Sequence, residues 1–218
     1  MQATRSGPVV VAWAALDPDG PDSPDVAELD PPDLARAAGL PGRRRREFLL
    51  GRALITGLIR DSLPGCAGWS IGSRACPRCG ERHGGVELTG VPAVGSVAYT
   101  EGLVVAALAP STLVGRLGVD VEVDAPDDIR DRDLARLLGP SREPVLQRWT
   151  RIEAVLKADG RGLLADPTDV RFSRRTATVA GGRTRYRVVG VAGPAGFVIS
   201  LAWCAAGSVA TGSGRAIH

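Results

Sequence analysis

A chain of 218 residues is long enough for one domain of ordinary size or two small ones sharing a core. Hydrophobic residues at 44%, charged residues at 23% and a net charge of +3 exclude a disordered or fibrous chain. No apolar run approaches the roughly 20 residues that a bilayer-spanning helix needs. A pI near 8.9 with so small a net charge does not mark a nucleic-acid binder, although the positive charge is locally concentrated; it suits a phosphate-rich ligand or an acidic protein partner.

Pro8–Leu16 is apolar and follows Arg5, and Ala12-Trp13-Ala14 imitates the cleavage site of a secretory signal. The run is short for that role, and β-branched Val9-Val10-Val11 suits a buried strand equally well. A strand over Val9–Leu16 is therefore expected, then an acidic, proline-broken surface stretch from Asp17 to Pro32. From Asp33 the apolar residues recur at helical spacing, with a long amphipathic helix over Arg44–Ser62 stopped by Pro64-Gly65. Trp69–Val94 is rich in Gly, Cys and Pro with short extended pieces. Ser96–Leu108 reads as two strands bent at Gly102.

Leu117–Val123 predicts a strand in which Val119 and Val121 alternate with Asp120, Glu122 and, beyond them, Asp124, so the three carboxylates are expected on one face. Asp127–Gly139 predicts a helix with a polar face. A second long helix is expected from Val145 to Asp159, ended by Gly160-Arg161-Gly162. Val170–Trp203 alternates as an antiparallel sheet does, with turns at Gly181-Gly182 and at 193–196. Each half thus places strands around one long helix. The expected fold is α+β, two similar α+β lobes over residues 1–112 and 113–218 that meet near residue 112.

Like charges at Asp120 and Glu122, two apart on one strand face, repel unless a cation or basic group offsets them. Hard oxygen donors of this kind suit Mg²⁺, and a solvated strand face is the plainer alternative. Glu153 and Lys157 lie four apart on the second helix, which is also the order of an ordinary surface ion pair. Four cysteines, Cys66, Cys76, Cys79 and Cys204, do not have the dense spacing of a secreted disulfide scaffold, so a reducing, cytoplasmic setting is expected.

Taken together, Gly118–Glu122 and Trp149–Gly162 resemble the two signatures of the 4′-phosphopantetheinyl transferases of the surfactin-synthetase type, Gly-(Ile/Val)-Asp-x-Glu and Trp-(Thr/Ser)-x-Lys-Glu-Ala-x-x-Lys-x-x-Gly-x-Gly. Phe48–Ile55 is similar to the family's Arg-bearing helix. Cys76–Gly84 is similar to the Cys-Gly-x-x-His-Gly stretch of actinobacterial-type members. The resemblance covers about Asp33 to Trp203 and implies an α+β monomer of two similar lobes with pseudo-twofold symmetry, which binds coenzyme A in the cofactor cleft between them. It also implies Mg²⁺ held by Asp120, Glu122 and Glu153, with Asp120, Glu153 and Lys157 as catalytic residues. Glu153 would act as base toward a serine of an apo acyl or peptidyl carrier protein, and Lys157 would support the leaving 3′,5′-ADP.

On the coenzyme side the resemblance points to Arg46, Arg52, Arg36, Tyr99, Thr100 and Lys157, and the run Arg43–Arg46 offers guanidinium forks for phosphate or a docking surface for an acidic carrier. The chain departs from the family at four positions: Tyr99 stands for a His, Gly85 for a Lys, Ile152 for a Lys and Thr56 for an Arg. These departures read as erosion of the coenzyme side. They leave open a second reading, a non-catalytic relative that binds a carrier protein or a phosphate ligand through its basic helix.

Cys76, Cys79 and His83 form a C-x-x-C-x-x-x-H cluster able to supply three zinc ligands, with Cys66 as a fourth. The expectation at this point is that Gly and Cys shape a tight loop. His83 and His218, the two histidines, have no serine or cysteine partner at nucleophile-elbow spacing, and no Gly-x-x-x-x-Gly-Lys-Ser/Thr loop is present. Hydrolase, kinase and NTPase readings have no support.

Overall fold

Eleven strands and four helices appear in the computed structural model, which describes residues 1–17 and 28–208. The first half runs β1 (Gln2–Ser6), β2 (Val9–Ala15), α1 (Pro31–Gly39), α2 (Gly42–Ser62), β3 (Ser70–Ser73), β4 (Val86–Thr89), β5 (Ala93–Thr100) and β6 (Leu103–Pro110). The second runs β7 (Val114–Val123), α3 (Asp128–Leu138), α4 (Val145–Asp159), β8 (Val170–Ser173), β9 (Thr176–Val179), β10 (Tyr186–Val191) and β11 (Phe197–Ala205). The named strands pair antiparallel with one another, in sheets of order β1-β2-β6-β5, β7-β11-β10-β9-β8 and β3-β4. The protein is α+β, and none of its described helices is long and apolar enough to cross a membrane.

The same connectivity occurs twice. β2, α2 and the hairpin β5-β6 are followed by β7, α4 and the hairpin β10-β11, and in each set the last strand returns to pair with the first. Strand alternation then builds four layers. In β6, Val104, Ala106 and Leu108 pack toward α2, while Val105, Ala107 and Ala109 pack against Leu117, Val119 and Val121 of β7 and Ile199 and Leu201 of β11. The outer face of the second sheet, with Ala202, Cys204 and Val188, receives Ile152, Val155 and Leu156 of α4. The middle apolar layer therefore draws on residues from both sides of position 112.

Several expectations shift in detail. β1 is an added edge strand, exposed at most of its positions and carrying no apolar period that would have announced it. β7 ends at Val123, so Asp124 lies past the strand and exposed, and does not join the acidic face. A turn with Arg174 at φ 54° separates β8 from β9. α4 has the expected ends, with Gly160 at φ 90° donating its N–H to the carbonyls of Leu156 and Lys157. Most of the Asp17–Pro32 surface stretch, and His218, lie outside the described residues.

Candidate functional site

The register between β7 and α4 makes the site. Two strand residues advance about 6.6 Å and four helix residues about 6 Å, so a stripe spaced by two on a strand matches a stripe spaced by four on a helix laid along it. Glu122, Asp120 and Gly118 accordingly meet Trp149, Glu153 and Lys157. Gly118 permits the close approach: a Cβ there would run into the Ala154 carbonyl and stand 2.5 Å from the Ala158 amide nitrogen. Thr150 Oγ1 bonds Ser200 Oγ at 2.9 Å on the next strand and fixes the helix from the other side.

Charge on this stripe is unbalanced. Lys157 Nζ donates to Asp120 Oδ1 at 2.7 Å, so Lys157 is not the surface partner of Glu153 that its i, i+4 spacing allows. Asp120 is 3% exposed, and its Oδ2 is buried without a hydrogen-bond partner. Burial, with Asp120 alongside, pushes Glu153 up to about 7. Burial and the charge of Asp120 also raise Glu122, against a hydrogen bond from Trp149 that lowers it. Burial alone would lower Lys157, but Asp120 and Glu153 outweigh it and hold the ammonium above its usual range. Lys157 is the only lysine among the chain's 27 basic residues.

Three carboxylates around one ammonium suit a cation, yet their oxygens are not gathered into one closed ligand set within 4.8 Å. Lys157 holds one oxygen of Asp120 and Trp149 holds Glu122. A metal drawing all three together would displace these two contacts.

Beside the stripe lies a cleft of about 640 Å³ at the junction of the lobes. Its charged lining among the described residues is entirely basic: Arg36, Arg52, Arg74, Arg78, Lys157 and Arg161. Ser96 on its wall joins the lobes by accepting a hydrogen bond from the Val119 amide at 3.1 Å. Arg161 is held by Asp159 and Arg36 donates to Ser73 Oγ at 3.2 Å. The guanidiniums of Arg36 and Arg52 both lie over the Phe48 ring, 4.9 and 4.5 Å from its centroid.

The predicted coenzyme-side residues divide. Arg36, Arg52, Tyr99 and Lys157 line the cleft; Arg46 and Thr100 do not. Arg52 is 2% exposed and spends its donors on Asp33 Oδ2 and Ser73 Oγ, at 2.8 and 2.9 Å, so Arg36 is the more available of the two. Arg43 turns away to Glu47 and Glu101. The Tyr99 ring lies over Gly51, whose missing Cβ would stand 2.8 Å from the hydroxyl; burial raises this phenol despite the nearby cations. Of the four departures, Gly85 and Tyr99 line the cleft, whereas Thr56 and Ile152 are buried in α2 and α4 among core residues. Two of the four departures thus lie on the cleft wall and two in the core.

Arg74, Arg78 and Arg161 were not singled out from the sequence, although the Gly160-Arg161-Gly162 helix stop was a usable signal for the last. The Cys-rich loop forms the outer wall of the cleft. Cys79 Sγ lies 3.0 Å from His83 Nε2, and the Cys76 sulfur and these two atoms all fall within 4.8 Å of one another. Backbone N–H groups of Cys79 and Arg78 directed at the Cys76 sulfur hold its thiol below the usual range. Cys66 is not in the group and packs against the core beneath α2. Comparison with protein-family models gives no match, and comparison with curated proteins gives none either.

Proposed function

We propose that the chain is a cytoplasmic, Mg²⁺-dependent 4′-phosphopantetheinyl transferase, which moves the phosphopantetheine arm of coenzyme A to a serine of an apo acyl or peptidyl carrier protein and releases 3′,5′-ADP. One observation carries this reading: a carboxylate cluster with excess negative charge, joined to the chain's single lysine, beside a cleft whose lining among the described residues has arginines and no carboxylate. A ligand with several phosphates matches the arginines, and a divalent cation matches the carboxylates.

The residues present fit Mg²⁺. Asp120 Oδ2 is a buried acceptor without a donor, and the Glu153 and Glu122 carboxyls, raised first by burial and then by the charge of Asp120, are in a state that a bound cation would relieve. Asp120, Glu122 and Glu153 would hold the ion, which when bound supplies charge neutralisation at the pyrophosphate. Arg36, Arg74, Arg78 and Arg161 orient the phosphates. Glu153, whose proton affinity stands near neutrality, accepts the proton of the carrier serine. The serine oxygen bonds to the phosphorus that bears the pantetheine arm, the bond from that phosphorus to the bridging oxygen breaks, and the electron pair leaves with 3′,5′-ADP. Lys157 faces both cluster and cleft and compensates the charge gathering on the leaving phosphate.

The protein acts as a monomer, and its free cysteines fit a reducing compartment. A non-catalytic relative that binds through its basic helix has one point in its favour, the lysine already seated on Asp120. Against it, two arginines of that helix are engaged elsewhere: Arg43 with Glu47 and Glu101, Arg52 with Asp33.

The test is intact-mass analysis of apo carrier proteins incubated with the chain, coenzyme A and Mg²⁺, with Asp120→Ala as control. A phosphopantetheine-sized gain that the control lacks is the expected result. No gain on any carrier, together with coenzyme A binding indifferent to Mg²⁺, would establish the non-catalytic reading instead.

A further inference from the structure

The loop between β3 and β4 has a construction that the transfer reaction does not require. Its base is closed by Arg74 N bonding to Gly85 O and Gly84 N to Arg74 O, at 2.8 and 2.9 Å. Its tip is a tight knuckle: Gly80 N donates to Cys76 O at 2.8 Å, Gly80 stands at φ 77°, and Cys76 N donates to Glu81 O at 2.7 Å. The turn brings Cys76 and Cys79 to the same side and swings His83 back over them, with its Nε2 on the Cys79 sulfur. A loop that needed only to turn would have no reason to converge two sulfurs and an imidazole nitrogen within one ion's reach.

We propose that Cys76, Cys79 and His83 bind one Zn²⁺ through two thiolates and Nε2, and that the ion fastens the wall of the cleft. Two soft sulfurs and an imidazole at this spacing are zinc donors, and hard-cation chemistry belongs instead to the oxygen cluster on β7 and α4. Binding displaces the two thiol protons. Cys66 packs with the core, so the fourth position is left to water, at a point where Cys76 and His83 face the cleft. The role is positional. Arg74 and Arg78 precede and interrupt the ligand run, so fixing the knuckle fixes two of the guanidiniums that line the cleft. Arg82, held by Asp30 and Glu87 at 3.0 and 2.8 Å, secures the loop from the opposite side.

The experiment is metal removal with a chelator under reductant, then titration with Co²⁺ followed by Zn²⁺. The expected result is one thiolate-ligated Co²⁺ per chain, with a thiolate-to-metal charge-transfer band and the intense visible bands of a tetrahedral site, both abolished when Zn²⁺ displaces it. Cys76→Ser, Cys79→Ser and His83→Ala, checked for native circular dichroism, should each lose or shift those bands. Cys66→Ser and Asp120→Ala should keep them. Absence of a thiolate band in wild-type protein with free thiols overturns the proposal. So does its persistence in Cys79→Ser, its loss in Cys66→Ser, or the isolation of a Cys76–Cys79 disulfide in place of metal. The readout is independent of transfer activity and stands or falls without it.

Discussion

Each lobe buries charge between a long helix and its neighbours, and the two do it in opposite ways. Under α2, Arg52 meets Asp33 and Ser73: Asp33 Oδ2 accepts from the guanidinium at 2.8 Å, and Asp33 Oδ1 accepts from Ser73 Oγ at 2.7 Å. One cation faces one anion, and a hydroxyl takes the remaining acceptor. Under α4 three carboxylates share one ammonium, and an oxygen of Asp120 is left over. The repeated strand–helix unit therefore serves as a closed network that fixes shape in one lobe. In the other it is an open network that has affinity to spare for a cation.

The comparison is broken most severely at Glu153. Glu153→Gln should lower transfer by roughly 10³-fold, the scale of a lost general base, and unchanged turnover would remove the residue from the mechanism. The same change bears on stability, with a sign fixed by linkage. Glu153 rises from 4.5 to about 7 in the folded protein, so the fold binds its proton more tightly than the unfolded chain does. Stability is then greatest below the lower value and declines as pH climbs through that window, by about 3 kcal/mol in all. Glu153→Gln should melt higher than wild type at pH 8 and show no such advantage at pH 4. Because transfer needs Mg²⁺ and a bound cation lowers the proton affinity of Glu153, transfer by the wild type should rise with pH at a midpoint below the metal-free value of about 7, and raising Mg²⁺ toward saturation should move that midpoint lower still.

Arg52→Met opens the closed network and leaves Asp33 buried without its cation, which costs about 3–5 kcal/mol. Chemical denaturation reads this directly; a loss below about 1 kcal/mol would mean that water replaces the pair. Gly118→Ala should lose about 1–3 kcal/mol by prising α4 from β7, and transfer should fall with it because the carboxylates sit on those two elements. Thr56→Val is the smallest effect and has the opposite sign. Its hydroxyl is buried without a partner in α2, so the change should add about 1 kcal/mol and leave coenzyme A affinity as it was. A weakened affinity would return Thr56 to the ligand side.

What the chain announces about itself is local. Proline and glycine bracket α4, and alternation along β7 marks its acidic residues, because both signals act within a few residues of the features they cause. Direction around a helix is also local, and would have placed Thr56 with Arg52 and Ile59 on the core stripe of α2. The cleft arginines are a different matter. Arg74, Arg78 and Arg161 come from loops whose approach is set by the packing of two sheets, and no periodicity encodes it. Arg46 and Thr100 were drawn in by neighbourhood in sequence and fall outside the cleft for the same reason. The edge strand β1 carried no apolar pattern to read.

With 26 of its 27 basic residues being arginine, the chain carries a single ε-amine, and that amine stands in the cleft, with its side chain 31% exposed and paired to Asp120. Acylating reagents that spare guanidinium have one internal lysine to find. The extent of their reaction at Lys157 becomes a gauge of what fills the cleft, a label already written into the protein at the point where occupancy is to be read.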